Sequence, residues 1–170
     1  MKKFLIVLTS LILVFSLAAC NSGSQTSASS QTTTDQTSTP SKTTNLYTNL
    51  DQPALMEAIR QYQGVCTVST VNADGTPNLA VFVPGAVGDE YVVFGWAENA
   101  TKANVLRDKK AVMSYDIVNL AAEEKTGRHT GAIVKLELVE DEKVLEELKA
   151  EGAISDYSVL LKITEVLPIG

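Results

Sequence analysis

Histidine and cysteine are nearly missing. One histidine, His129, and two cysteines, Cys20 and Cys66, stand in 170 residues. The common transition-metal centres take three or four ligands from those residue types, so they are excluded. A disulfide framework is excluded as well, because Cys66 has Cys20 as its one possible partner and Cys20 has another use, given below. Basic residues are outnumbered, 14 lysines and arginines against 20 aspartates and glutamates, for a net charge of −6. With no basic stripe to offset it, that balance speaks against nucleic acid as a partner. Long apolar runs are absent except near the start, where Phe4–Phe15 falls short of the roughly 20 residues that a membrane span requires.

That first run has its own meaning. Lys2 and Lys3 form a basic region ahead of it, and Leu17-Ala18-Ala19-Cys20 closes it, as in a secretory signal with small residues before the cut. The cysteine directly after Leu-Ala-Ala resembles the bacterial lipoprotein box. The resemblance implies cleavage before Cys20, lipid on Cys20 and an extracytoplasmic protein anchored to the cell membrane. Loss of residues 1–19 removes two lysines and no acid, leaving 151 residues at a net −8. Lipid, not charge, must then hold the protein to the membrane. Residues 20–50 read as a lipidated cysteine and tether: 15 of the 25 residues from Asn21 to Asn45 are serine or threonine. Such a segment cannot bury enough apolar surface to fold, and as a coil it reaches about 25–30 Å.

Folding signals begin near Asp51 and define one domain, residues 51–170. Asp51 is placed to cap a helix with Pro53 in its first turn and Leu55, Ile59 and Tyr62 on one face, ended by Gly64. Val65–Val71 is a β-branched run; Asn72-Ala73-Asp74-Gly75 turns it back into Asn78–Val83, a hairpin built on the Asp-Gly signal. Glu90–Phe94 and Ala111–Ile117 are further strands. Val118–Gly131 reads as a polar loop, Ala132–Val139 alternates cleanly as a strand, Asp141–Ala150 is an amphipathic helix, and Ser158–Val166 closes the chain. The pattern predicts a mainly β, α+β fold: a six-stranded antiparallel barrel with peripheral short helices, which the resemblance given below makes a split barrel. Cys66, alone inside a strand, reads as a small buried hydrophobe rather than a nucleophile.

Between two of these strands lies Gly95-Trp96-Ala97-Glu98-Asn99-Ala100-Thr101-Lys102, running into a helix that continues through Ala103-Asn104-Val105-Leu106-Arg107-Asp108. Thr101 stands where an N-cap is expected, and Lys102 follows in the first turn, where the helix dipole disfavours a cation. The residues alone admit two readings, a plain strand-to-helix connection with a solvated lysine, or a seat for an anion on the helix end.

Residues from about Gly64 to Val166 resemble the FMN-binding split-barrel superfamily that includes pyridoxamine 5′-phosphate oxidase, most of all its small bacterial FMN-binding proteins. The matching stretches are Val65-Cys66-Thr67-Val68-Ser69-Thr70, Asp74-Gly75-Thr76-Pro77, Thr101–Asp108, Val112-Met113-Ser114 and Val159-Leu160-Leu161-Lys162-Ile163-Thr164. The resemblance implies a homodimer with FMN between subunits. It gives the phosphate to Thr101 and Lys102, with backbone N–H groups of Asn99 and Ala100. It sets the flavin ring against Ala80, Val81, Phe82 and Val83 on one side and Gly95, Trp96 and Ala97 on the other. Two departures stand out: Ala80 lies near the place of a family arginine, and Thr101 takes the place of a second basic residue. Both imply weaker phosphate binding. The arginine and histidine pairs that serve pyridoxamine phosphate oxidation are not evident, so that reaction is not expected.

Three functions are therefore open. One is a membrane-anchored, extracytoplasmic FMN protein, acting as an electron carrier or a flavin-dependent oxidoreductase with a membrane or extracytoplasmic redox partner. The second is a non-catalytic module for another flat anionic cofactor, a deazaflavin or haem; the third is a cofactor-free dimeric scaffold. Replacing Cys20 with serine should move the protein from the membrane fraction to the soluble fraction, read by fractionation and immunoblot.

Overall fold

The Asp-Gly turn and the alternation on either side of it set the architecture. In the computed structural model, residues 46–170 are described; the expected signal, the expected lipid attachment at Cys20 and the expected tether up to Asn45 lie outside the described residues. The elements run β1 Thr48–Asn49, α1 Gln52–Arg60, β2 Val65–Val71, β3 Pro77–Phe82, β4 Gly85–Val87, β5 Tyr91–Phe94, α2 Ala100–Asp108, β6 Lys110–Val118, β7 His129–Leu138, α3 Glu142–Ala150 and β8 Val159–Leu167, with a short 3-10 turn at Lys125–Gly127. The fold is mainly β with short helices, as expected, but has eight strands among the described residues rather than six. The six long ones match the alternation; β1 and β4, of two and three residues, are too short to leave a periodic signal.

The strands form one sheet in the order β3-β2-β6-β7-β8-β5-β4, and β1 pairs in parallel with β7 at the side. All other pairings are antiparallel. Lys135 pairs with Glu165 and Leu136 with Ile163, so Thr164 is the extra residue of a bulge in β8 where it meets β7. The sheet curls until its two ends approach. Phe82 of β3 lies 6.0 Å from Phe94 of β5 and 5.2 Å from Trp96, ring centre to ring centre. Aromatic contact, not a ladder of hydrogen bonds, closes this seam, which is what splits the barrel.

Alternation decides what lies inside. Cys66 and Val68 of β2, Met113 and Tyr115 of β6, Val134 and Leu136 of β7, and Leu161 and Ile163 of β8 are buried, with Leu55, Met56 and Ile59 of α1 capping them. A smaller cluster of Val87, Ile154 and Leu160 takes the half-buried Val144, Leu145 and Leu148 of α3. Asp51 caps α1 as expected, accepting from the N–H of Ala54. The helix stops earlier than Gly64, however. Tyr62 adopts φ 53°, and the N–H groups of Tyr62 and Gln63 donate to Ile59 and Ala58 in a Schellman-type close. Tyr62 is consequently exposed and not on the buried face.

Two close approaches lock the outer elements. The Tyr115 hydroxyl donates to the Ala58 carbonyl and accepts from the N–H of Gly64, each at 3.0 Å, joining α1 to the sheet. At Gly131 a Cβ would sit 2.0 Å from the Tyr115 carbonyl oxygen, so only glycine fits. Beside it, Leu50 donates to the Gly131 carbonyl and the Ile169 N–H donates to Asn49, fastening β1 and the C-terminal residues together. The expected loop 118–131 is shorter than its limits suggested, because β6 extends to Val118 and β7 begins at His129.

Tyr115→Phe keeps the buried ring and strands one donor and one acceptor. It should cost about 1–3 kcal/mol, read as a lower midpoint in urea unfolding with an unchanged slope.

Candidate functional site

The first turn of α2 sits directly after β5 and beside the seam. Sequence reading put the cap at Thr101; the structure puts it at Asn99, whose Oδ1 accepts from the N–H of Lys102 at 2.9 Å. Asn99 is extended, at φ −152° and ψ 172°, as a cap residue should be. The first i→i−4 bond runs from Ala103 to the Asn99 carbonyl. The N–H groups of Ala100 and Thr101 therefore lie beyond any helical partner and face out of the helix end.

Thr101 is displaced from the cap because its hydroxyl is used elsewhere. It is buried, and its Oγ1 accepts from Asn78 Nδ2 at 2.9 Å. The same amide donates to Thr70 Oγ1 at 3.0 Å, Asn104 Nδ2 donates to Thr70 Oγ1 and to Asn72 Oδ1, and Arg107 Nη1 donates to Asn104 Oδ1. Thr70, Thr101 and Asn104 are the three buried polar side chains among the described residues, and all three belong to this network. It pins the inner face of α2 to the β2–β3 hairpin and so fixes the direction of the helix end. Sequence reading missed Thr70, Asn78 and Asn104 as a group. The signal was there: Thr70 and Asn78 are cross-strand partners in a hairpin whose register follows from the turn, and Asn104 is one helical turn past Thr101.

Lys102 keeps its place in the first turn by a charge contact. Its Nζ lies 2.6 Å from Glu98 Oε1, four residues earlier. The lysine side chain is 17% exposed and the glutamate 89%. Glu98 thereby supplies the negative charge that the helix end and the ammonium both favour.

The expected ring walls are divided. Ala80 and Phe82 turn inward with Asn78, opposite Val68 and Cys66, and are half-buried; Val81 and Val83 turn to the outer face, 68% and 63% exposed. The four do not share one surface. Trp96 lies in the core, stacked on Phe94 at 4.6 Å and 19°. Its indole Nε1 is buried without a hydrogen-bond partner, an uncommon state for so polar an atom. Gly95 and Val83 line one hollow of about 400 Å³ with Tyr62, Pro84 and the Ser155 and Ser158 side. Gly95 has nothing within 4 Å of where a Cβ would be, so bare backbone faces that space. Ala97, Asn99 and Ala100 are exposed. The structure thus brings Val83 and Gly95 together, sets Ala100, Thr101 and Lys102 at the helix end, and withdraws Ala80, Phe82 and Trp96 toward the interior.

Two other titratable features complete the survey. Burial pushes the Cys66 thiol up to about 11, against a weak hydrogen bond to the Phe82 carbonyl that lowers it. His129 Nδ1 lies 3.1 Å from Asp116 Oδ2, with Tyr47 edge-on to its ring. Among the described residues, no helix is long and apolar enough to cross a membrane.

No family model matches the chain, and no curated protein does. Solved structures do resemble it. One is an FMN-binding protein from Syntrophomonas wolfei subsp. wolfei, at 20% identity, covering 70% of this chain and 88% of that one, with a TM-score of 0.47. A second is the FAD binding protein from Mycobacterium smegmatis, at 15% identity over 69% and 92%, with a TM-score of 0.49. A third is HutZ, the heme storage protein from Vibrio cholerae, at 14% identity over 66% and 87%, with a TM-score of 0.43. At such identities and scores the functional argument rests on the residues of this chain.

The Cys66 environment has a measurable consequence. A folded thiol held at about 11 carries almost no thiolate at pH 8, so with Cys20 replaced by serine, Cys66 should react with a disulfide reagent far more slowly than free cysteine and at full speed in denaturant. Its raised value also means that burial as a thiol stabilises the fold below about pH 8.5, and that this stabilisation fades as pH rises toward 11.

Proposed function

We propose that this protein binds a flavin mononucleotide and acts as an extracytoplasmic redox protein anchored to the membrane through Cys20. The observation that carries the reading is the end of α2. Two outward N–H groups, of Ala100 and Thr101, and the Lys102 ammonium meet there, on a helix whose direction is fixed by buried hydrogen bonds. That donor set suits a phosphomonoester, which takes N–H donors and a cation together. The hollow with Val83 and Gly95 on its wall follows within a few residues, and it offers an apolar side chain and bare backbone to a flat ring.

When bound, the flavin would accept and return the electrons; the protein would place it. Lys102 would hold the phosphate, and Asn99, by capping Lys102 N–H, keeps the first turn in register for it. Asn78 and Asn104 keep that turn facing the hollow. Val83, Gly95 and Ala97 would shield one side of the ring from water, and Trp96 supports that side from within. No nucleophile–base pair is needed in this scheme. An electron carrier or a reductase fed by a partner in the membrane fits the site better than a nicotinamide-dependent enzyme, since none of the site residues adds a second phosphate seat.

A homodimer belongs to the same proposal. Leu79, Val81 and Val83 of the β3 edge share the outer face with Val65 and Val71 of β2 and Val112 of β6, all exposed. A second copy covering that face would remove a large apolar surface from water.

A second reading has one observation in its favour. Lys102 already has a carboxylate partner, and the seat has a single cation, as expected for a scaffold that binds no cofactor. Titration with FMN and riboflavin, followed by flavin fluorescence, separates the two. Micromolar FMN binding that falls about tenfold in Lys102→Met, with riboflavin binding little changed, is the expected result. A folded protein that takes up neither flavin would overturn the proposal.

A further inference from the structure

We infer that Glu98 is a built-in competitor for the phosphate seat: its carboxylate occupies Lys102 when the seat is empty and must leave when a phosphorylated ligand arrives. This rests on the flavin reading above and adds to it the residue that sets how strongly the phosphate is preferred.

Three observations carry it. The first is position. Glu98 directly precedes the cap residue Asn99, and its Oε1 lies 2.6 Å from Lys102 Nζ, the charge that a phosphate would need. The second is asymmetry of burial. Lys102 is largely covered, held where it is by the helix, whereas Glu98 is almost wholly in solvent. The lysine is thus the fixed partner and the glutamate the one free to swing away. The third is the balance of forces. An ion pair with one fully solvated member is worth little, so a phosphate dianion with two backbone N–H groups to meet can displace it. Displacement is not free, because the released carboxylate stays within a few ångströms of the incoming dianion and repels it.

The consequence is a penalty that falls on phosphorylated ligands alone. Riboflavin, which brings no anion to Lys102, leaves the pair in place. FMN must break it and then sit beside its displaced carboxylate. Glu98 therefore compresses the difference in affinity between FMN and riboflavin, and it makes uptake of FMN more favourable at higher salt than a single-lysine seat would be, since salt weakens both the pair and the repulsion while also screening the phosphate.

The test is a double-mutant cycle in the full chain with FMN and riboflavin as probes. Glu98→Gln should tighten FMN about five-fold, the size of one exposed ion pair plus part of the repulsion, with riboflavin unchanged. The same substitution in a Lys102→Met background should give a clearly smaller gain, that of the repulsion alone, because the competition acts through the lysine. A cooperative urea transition in each variant confirms that it is folded, which matters most for Lys102→Met because that side chain is largely covered. FMN affinity unaltered or weakened by Glu98→Gln overturns the inference while the flavin reading stands. A gain just as large without Lys102 also overturns it, by reducing Glu98 to one more negative charge. Absence of binding by either flavin in every folded variant overturns both.

Discussion

Four side chains bear the functional geometry of this protein. Thr70, Thr101 and Asn104 are short, polar and buried, Asn78 beside them is half-buried, and they satisfy one another where strand and helix meet. A buried amide without partners would cost more than a neutral contact gains, so the network admits few arrangements of α2 on the hairpin. Without it, the helix would rest on Val105 alone among its buried apolar residues and could rotate about its axis. The direction of the helix end, and with it the meeting of Lys102 with the N–H groups of Ala100 and Thr101, depends on this one knot.

The seam makes the second half of the site. An edge strand in an open sheet leaves its backbone groups exposed, and most proteins pair or cover them. Here Phe82, Phe94 and Trp96 bring the two ends of the sheet together without joining their ladders, so the gap keeps a hollow beside Val83 and Gly95. The network fixes the helix on the hairpin, and the rings bring the two ends of the sheet together without pairing them.

The sheet was written plainly in the sequence. Because half-buried strands must alternate, alternation in Ala132–Val139, β-branching in Val65–Val71 and the Asp-Gly turn placed the long strands to within a residue, except that β7 begins three residues earlier. Short elements escaped, since two residues of β1 have no period. The ends of helices were read less well. Both Asn99 and Thr101 are good caps by composition, and only the distant Asn78 decides between them by taking the threonine. Tyr62 was placed on a buried face by spacing, but a left-handed backbone at that residue turned it outward. At the candidate site, the short helix that begins near Lys102 was legible, whereas the division of Ala80 and Phe82 from Val81 and Val83 followed from pleating that the resemblance did not resolve. Glu98 was visible in the sequence four residues before Lys102, the spacing at which opposite charges meet on a helix; it was passed over because it precedes the cap.

The parallel pairing of β1 with β7 has a mechanical meaning. Any pull that reaches the domain through residue 46 arrives first at Thr48 and Asn49, held by a two-residue ladder, the Leu50–Gly131 bond and the Asn49 contact to Ile169. The long antiparallel strands of the core stand behind it. Loading in line with so short a strand detaches the weakest element before any buried residue is drawn out. Thr48–Leu50 thus forms a sacrificial link, able to let go and rejoin while the barrel keeps its shape.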